Sequence, residues 1–203
     1  MPTDGGQAPI PFVGLTGGMA AGKSEALAAL ERLGAATLSS DAVVHELLGS
    51  DEVRGRLVER FGAEVAPNGE VDRSAVAAMV FERPEQREWL EQELWPRVGD
   101  RIWRWRAGLE QEDPRPAAAV VEVPLLFESG MDQAFDHTVA IVADESVRAE
   151  RAAARGHAGV DSRSSRQLTQ DEKAQRADFV VRNDSDIPAL ESKLSKVLAT
   201  IGA

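Results

Sequence analysis

Eight residues near the start of the chain, Gly17-Gly18-Met19-Ala20-Ala21-Gly22-Lys23-Ser24, carry the spacing G-x-x-x-x-G-K-[ST]. That spacing suits the binding of a polyphosphate. Phosphate oxygens are best cradled by backbone N–H groups, so the loop must curl with little side chain in the way. Gly17 and Gly22 permit the curl. Lys23 brings a cation to β- and γ-phosphates, and Ser24 offers a hydroxyl to the Mg²⁺ that bridges them. A helix beginning at this point directs its positive end at the same oxygens. Ala20 and Ala21 lack the freedom of glycine, so neither is expected to take a positive φ cheaply.

Two further groups could do chemistry. Asp41 closes the run Ala35-Ala36-Thr37-Leu38-Ser39-Ser40-Asp41, just past the end of an expected strand. A carboxylate there can take a proton from a substrate hydroxyl, and it can equally cap a helix. The second group is basic: Arg148, Arg151, Arg155, Arg163, Arg166, Lys173 and Arg176 fall within one short span. Arg151 and Arg155 stand four residues apart and share a helix face. With glycines and serines between them and the next helix, they read as a mobile lid that neutralises a transferring phosphoryl group. The alternative is a solvated Arg-rich helix. Glu122 and Glu128 flank Val123-Pro124-Leu125-Leu126-Phe127 and read as partners of a metal or substrate group, or as structural carboxylates.

The elements that must position these groups follow from periodicity. Residues 10–16 form a short apolar strand before the loop, and Ala26, Leu27, Ala29, Leu30 and Leu33 recur at helical spacing after it. A second strand ends near Ser39. Residues 51–108 read as mostly helical, with a turn at Pro67-Asn68-Gly69 and a long helix from Pro84 that Pro96 should kink or interrupt. Trp89, Trp95, Trp103 and Trp105 fall there among arginines, and core packing is favoured for most of them over a ring-binding site. Residues 117–123, 138–143 and 179–181 are further strands, and 187–201 is a closing amphipathic helix. Strands alternating with helices imply an α/β fold with a parallel, doubly wound sheet.

Composition narrows the class. The 203 residues include 43% hydrophobic and 28% charged residues, an ordinary globular balance that suits one domain. Lys+Arg number 23 against 34 Asp+Glu, a net charge of −11. That argues against a general nucleic-acid or anionic-membrane binder and requires a local cationic cluster for any anionic substrate. There is no cysteine, hence no disulfide, thiolate metal site or thiol nucleophile. The polar N-terminus lacks the apolar run of a signal peptide, so a cytoplasmic protein is expected.

Taken in order, these motifs resemble the dephospho-coenzyme A kinases over nearly the whole chain. The residues that carry the likeness are Gly14-Leu15-Thr16-Gly17-Gly18 through Ser24, Ser40-Asp41, Phe61-Gly62 with Gly69-x-x-Asp72-Arg73, and Val80-Phe81. Later come Val123 through Glu128-x-Gly130, Arg151-x-x-x-Arg155, Gln167-x(5)-Lys173-x-x-x-Ala177-Asp178 and Asn183. The resemblance implies a P-loop core with a five-stranded parallel sheet (about 10–40, 117–145 and 177–203), a helical coenzyme-binding region (about 41–116) and a lid (about 146–176) within one domain. It implies transfer of the γ-phosphoryl group of ATP, with Mg²⁺, to the ribose 3′-hydroxyl of dephospho-coenzyme A, a small-molecule partner. Asp41 would be the general base, Lys23 and Arg151 the cations of transfer, and Ser24 the metal contact. Residues Gly17 to Glu25 with Arg155 would surround the nucleotide, and Asn183 would lie near the adenine.

Some positions depart from the family pattern. Ala20-Ala21 replace Gly-Ser, Glu25 replaces Thr, Ser39-Ser40 precede the Asp of a usual Asp-Ala-Asp, and His45 replaces Arg. Trp95 stands where His usually precedes Pro96, and Ser185 where Gly is usual. A kinase for another small metabolite and a nucleotide-binding regulatory protein without transfer are the competing readings.

Overall fold

The computed structural model describes residues 8–81, 83–154 and 167–202. Its chain divides into two compact units, one made of Met1–Leu38 with Gly108–Ala203 and the other of Ser39–Ala107.

The first unit is built on a five-stranded parallel sheet of order β2-β3-β1-β4-β5. Its strands are β1 (Phe12–Gly17), β2 (Ala36–Ser39), β3 (Ala119–Glu122), β4 (His137–Val142) and β5 (Phe179–Arg182). β1 lies at the centre, paired in parallel with β3 through Val13 and Val120 and with β4 through Leu15 and Val139. Both its faces are covered, which is why Phe12 to Gly17 is buried throughout and reads as a continuous apolar run. Helix α1 (Lys23–Arg32) and helix α8 (Ile187–Ile201) pack together. Their Ala26, Leu30, Leu190 and Leu194 join Val13, Leu15, Val120 and Ile141 in one core. The chain leaves β1 for one side of the sheet and returns to the other side at β4. Such reversal of strand order opens a crevice at the carboxyl ends of the strands.

The second unit is helical: α2 (Ser40–Leu48), α3 (Asp51–Phe61), α4 (Arg73–Phe81) and α5 (Pro84–Leu109, which continues beyond the unit). Val53, Leu57, Val65, Val76 and Leu94 form its core, with Trp89 packed partly against them. Of the kink or interruption expected at Pro96 the interruption is absent, and the expectation that most tryptophans are core is corrected. α5 runs through Pro96 without interruption. Pro96 removes one backbone donor, and the Arg97 guanidinium donates to the nearby Glu93 carbonyl oxygen. Of the four tryptophans, Trp95 and Trp103 are about half exposed rather than core. Trp103 stacks instead beneath the Arg106 guanidinium, 5.3 Å from its ring centre.

Two short helices, α6 (Glu145–Ala154) and α7 (Gln170–Arg176), complete the sheet unit. No helix among the described residues is long and apolar enough to cross a membrane.

Candidate active site

The loop after β1 is shaped by what surrounds it. Gly17 has φ 155°, and a Cβ placed there would lie 2.3 Å from the Ile141 carbonyl oxygen of β4. Only glycine lets the loop leave the sheet at that point. Gly22 sits in the left-handed region at φ 93° and is the N-cap of α1, with no side chain capping the helix. A glycine N-cap puts no side chain over the first turn of α1, the kind of helix start that receives phosphate. Ala21 N–H donates to the Gly18 carbonyl and closes the curl. Ala20 has φ 57°, contrary to expectation. The loop imposes the left-handed conformation on a residue with a Cβ, at a cost of about 1–2 kcal/mol. Met19, half-buried, completes the turn.

Lys23 bends back across this curl. Its Nζ donates to the carbonyl oxygens of Gly17 (3.3 Å) and Gly18 (3.2 Å). Ser24 is exposed in the first turn of α1. Glu25 directs its carboxylate along α1 to Arg32 (3.3 Å), which also holds Glu191 (2.6 Å).

A second layer braces the loop from behind. The Asn183 amide, 5% exposed, donates to the Ala21 carbonyl oxygen at 2.9 Å. Arg151 Nη1 donates to the Asn183 carbonyl at 3.0 Å and to that of Ala21 at 3.4 Å. A Cβ on Gly22 would meet Asn183 Nδ2 at 2.2 Å. Arg151 and Asn183, named from motif alone, thus meet at the same carbonyl of the loop. Gln170 joins them from α7, its amide bracketing both N–H and C=O of Ala143. Nothing in the sequence singled out Gln170, because its role depends on packing between distant segments.

Lys173 does not behave as a lid cation. It is fully buried, meets Glu128 Oε1 at 3.1 Å and donates to the Pro124 carbonyl oxygen. Glu128 Oε1 also accepts from Leu168 N–H at 2.8 Å, while Oε2 is buried without a partner among the described residues. Burial pushes the Lys173 ammonium below the ordinary lysine range, and Glu128 opposes that shift. Glu128 thereby takes a structural role. Arg155, Arg163 and Arg166, named for the lid, lie outside the described residues.

Asp41 belongs to the helical unit and lies exposed in the first turn of α2. The N-cap of that helix is Ser39, and its side chain makes no cap hydrogen bond. The capping reading of Asp41 is therefore set aside. Its side chain faces solvent.

Comparison with known proteins gives a consistent result. The family model for dephospho-CoA kinase matches residues 11–189. A dephospho-CoA kinase of Symbiobacterium thermophilum is 39% identical over 177 residues, covering 85% of this chain and 73% of its own. One from Anaeromyxobacter dehalogenans is 37% identical over 199 residues, covering 93% and 91%. A solved Thermus thermophilus protein superposes with a TM-score of 0.78 at 30% identity, covering 96% of this chain and 98% of its own. The chain therefore belongs to the dephospho-CoA kinase family.

Proposed function

We propose that the exposed Asp41, the loop Gly17–Ser24 and Arg151 divide the work of phosphoryl transfer. The overall reaction follows from the family: the chain is an ATP-using kinase that phosphorylates the 3′-hydroxyl of the dephospho-CoA ribose, the last step of coenzyme A biosynthesis. The backbone N–H groups of the loop and the first turn of α1 hold the phosphates, and Lys23 exchanges its two carbonyl acceptors for β- and γ-phosphate oxygens. Asp41 accepts the proton of the attacking hydroxyl. Arg151 faces the transferring group, and Asn183, fixed on the Ala21 carbonyl, borders the base. Arg155 and the 146–176 segment supply further positive charge. The whole chain acts as one kinase domain.

Mg²⁺ fits as a passenger of the nucleotide. Among the described residues no group of three or more His, Asp or Glu side chains could hold a metal ion. Ser24 presents one exposed hydroxyl at the loop. One protein oxygen with phosphates and waters is the usual donor set for Mg²⁺, which neutralises charge on the phosphates.

The observation that carries this reading is the Lys23 ammonium lying over the Gly17 and Gly18 carbonyls of a loop that ends in a glycine N-cap. A coupled ADP-release assay with dephospho-CoA, a nucleoside monophosphate and a sugar acid tests it. ADP should form with dephospho-CoA alone. Equal turnover with another acceptor, or none with any, would overturn it.

A further inference from the structure

α6 brings a second guanidinium to the loop. Arg148 precedes Arg151 by three residues, so the two share a face of the helix. A Cβ placed on Gly18 would lie 3.7 Å from Arg148 Nη1, which sets this side chain against the first curl of the loop. Its Nη2 donates to Glu145. Its Nε is buried and has no hydrogen-bond partner among the described residues. A buried N–H without an acceptor is costly, and a water, ion or ligand commonly resolves it. The geometry of the guanidinium says which kind. Nε and Nη2 form one edge with two parallel donors, and that edge matches two oxygens of one phosphate. Glu145 occupies only half of it, and the Glu145 side chain is 86% exposed against 21% for Arg148. An exposed carboxylate on a short helical spacing is a weak competitor for a phosphate.

Lys23 shows which phosphate this would be. Its Nζ lies 3.2 Å from the Gly18 carbonyl, and the lysine of such a loop serves the β- and γ-phosphates. Arg148 and the Lys23 ammonium therefore gather at the same residue, at the terminal end of the polyphosphate. Arg151 contacts the opposite end of the loop, at Ala21.

We propose that Arg148 is a further phosphate-binding residue that exchanges Glu145 for the terminal phosphate of a bound nucleoside triphosphate. It thereby favours the triphosphate over the diphosphate. This rests on the reading of Gly17–Ser24 as the ATP site.

Calorimetric titration of the full chain with ATP and with ADP tests the proposal. Arg148→Gln should weaken ATP by about tenfold or more and ADP by less than about threefold. Arg148→Lys, which keeps the charge, should recover part of the difference. Glu145→Gln should bind ATP at least as tightly as the parent. A thermal melt accompanies each variant. If Arg148→Gln lowers the melting temperature, the Lys variant decides: a partial return towards the parental ATP-to-ADP ratio supports the proposal, and a ratio as low as that of Gln overturns it. Equal loss of ATP and ADP, or no loss of either, also overturns it. These titrations need no acceptor. A parent chain that binds ATP but leaves dephospho-CoA unphosphorylated defeats the kinase reading and leaves the Arg148 result to stand on its own.

Discussion

In the sheet unit the Lys173–Glu128 pair is closed from water, the lysine completely and the carboxylate to 13%. In the helical unit Arg97 meets Glu52 at 2.7 Å, yet that carboxylate is 72% exposed, and Arg101 meets Glu46 with both side chains about 60% exposed. The first arrangement cannot lose a partner cheaply, because the remaining charge has no water to turn to. The second can, because water replaces the partner. The residues named for the chemistry follow the same division. Asn183 and Arg151 both hold the loop carbonyl of Ala21, so substituting them moves structure and chemistry together. Asp41 is an exposed first-turn residue of α2, so its chemistry should separate from its stability.

Asp41→Asn gives the largest separation. Turnover should fall on the order of 10²–10⁴-fold, the usual loss on removing a general base. Stability should change by less than about 1 kcal/mol, the scale of a first-turn carboxylate beside a helix N-terminus. A thermal melt and the coupled assay on one preparation decide, and near-parental turnover would remove Asp41 from the chemistry.

Breaking the buried pair should act in the opposite sense. Lys173→Met should cost about 3–5 kcal/mol of stability in a denaturant melt, and adding Glu128→Gln should restore much of it. The lowered Lys173 pKa has a consequence with a definite sign. Between its folded value and the ordinary lysine value of 10.5 the unfolded chain binds the extra proton. This lysine therefore adds stability as pH rises through that window. The rise should be smaller in the double variant, and an identical alkaline profile would contradict the burial argument.

Arg151→Ala should lower kcat by roughly ten- to a hundredfold, since a charge-assisted contact contributes about 1.5–3 kcal/mol. The KM for dephospho-CoA should change little. A raised acceptor KM with normal kcat would give Arg151 a binding role instead. Ala20→Gly should raise the melting temperature slightly, with a gain of about 1 kcal/mol from relief of the left-handed conformation. Glu46→Ala, which removes an exposed partner of Arg101, marks the lower limit at under about 1 kcal/mol.

What could be read from the sequence follows the same contrast. β1 and β3 were legible because both faces of a central parallel strand are buried, which forces apolar runs such as Phe12 to Leu15 and Ala119 to Val121. The loop was legible because Gly17 and Gly22 answer to immediate steric demands. Lys173 was not, because its burial depends on Glu128 and Pro124, which are remote in the chain. Read locally, it was one more cation among arginines. Ala20 misled in the same manner, since the fold imposes a conformation that its own preferences oppose. The N-cap position of α2 was not legible from Asp41 either, since Ser, Thr and Asp all suit it and only the structure puts Ser39 there. The half-exposed Trp95 and Trp103 were obscured because helical periodicity alone does not say which stripe of α5 is covered.

The most direct measurement follows the phosphoryl group itself. ATP labelled at the γ-phosphate is incubated with the parent chain, Mg²⁺ and dephospho-CoA, and the label is located by chromatography and mass spectrometry. The account predicts the label on the ribose 3′-oxygen of coenzyme A, with ADP formed in equal amount and almost none of either with Asp41→Asn. Label released as inorganic phosphate, or found on another oxygen of the acceptor, would contradict it.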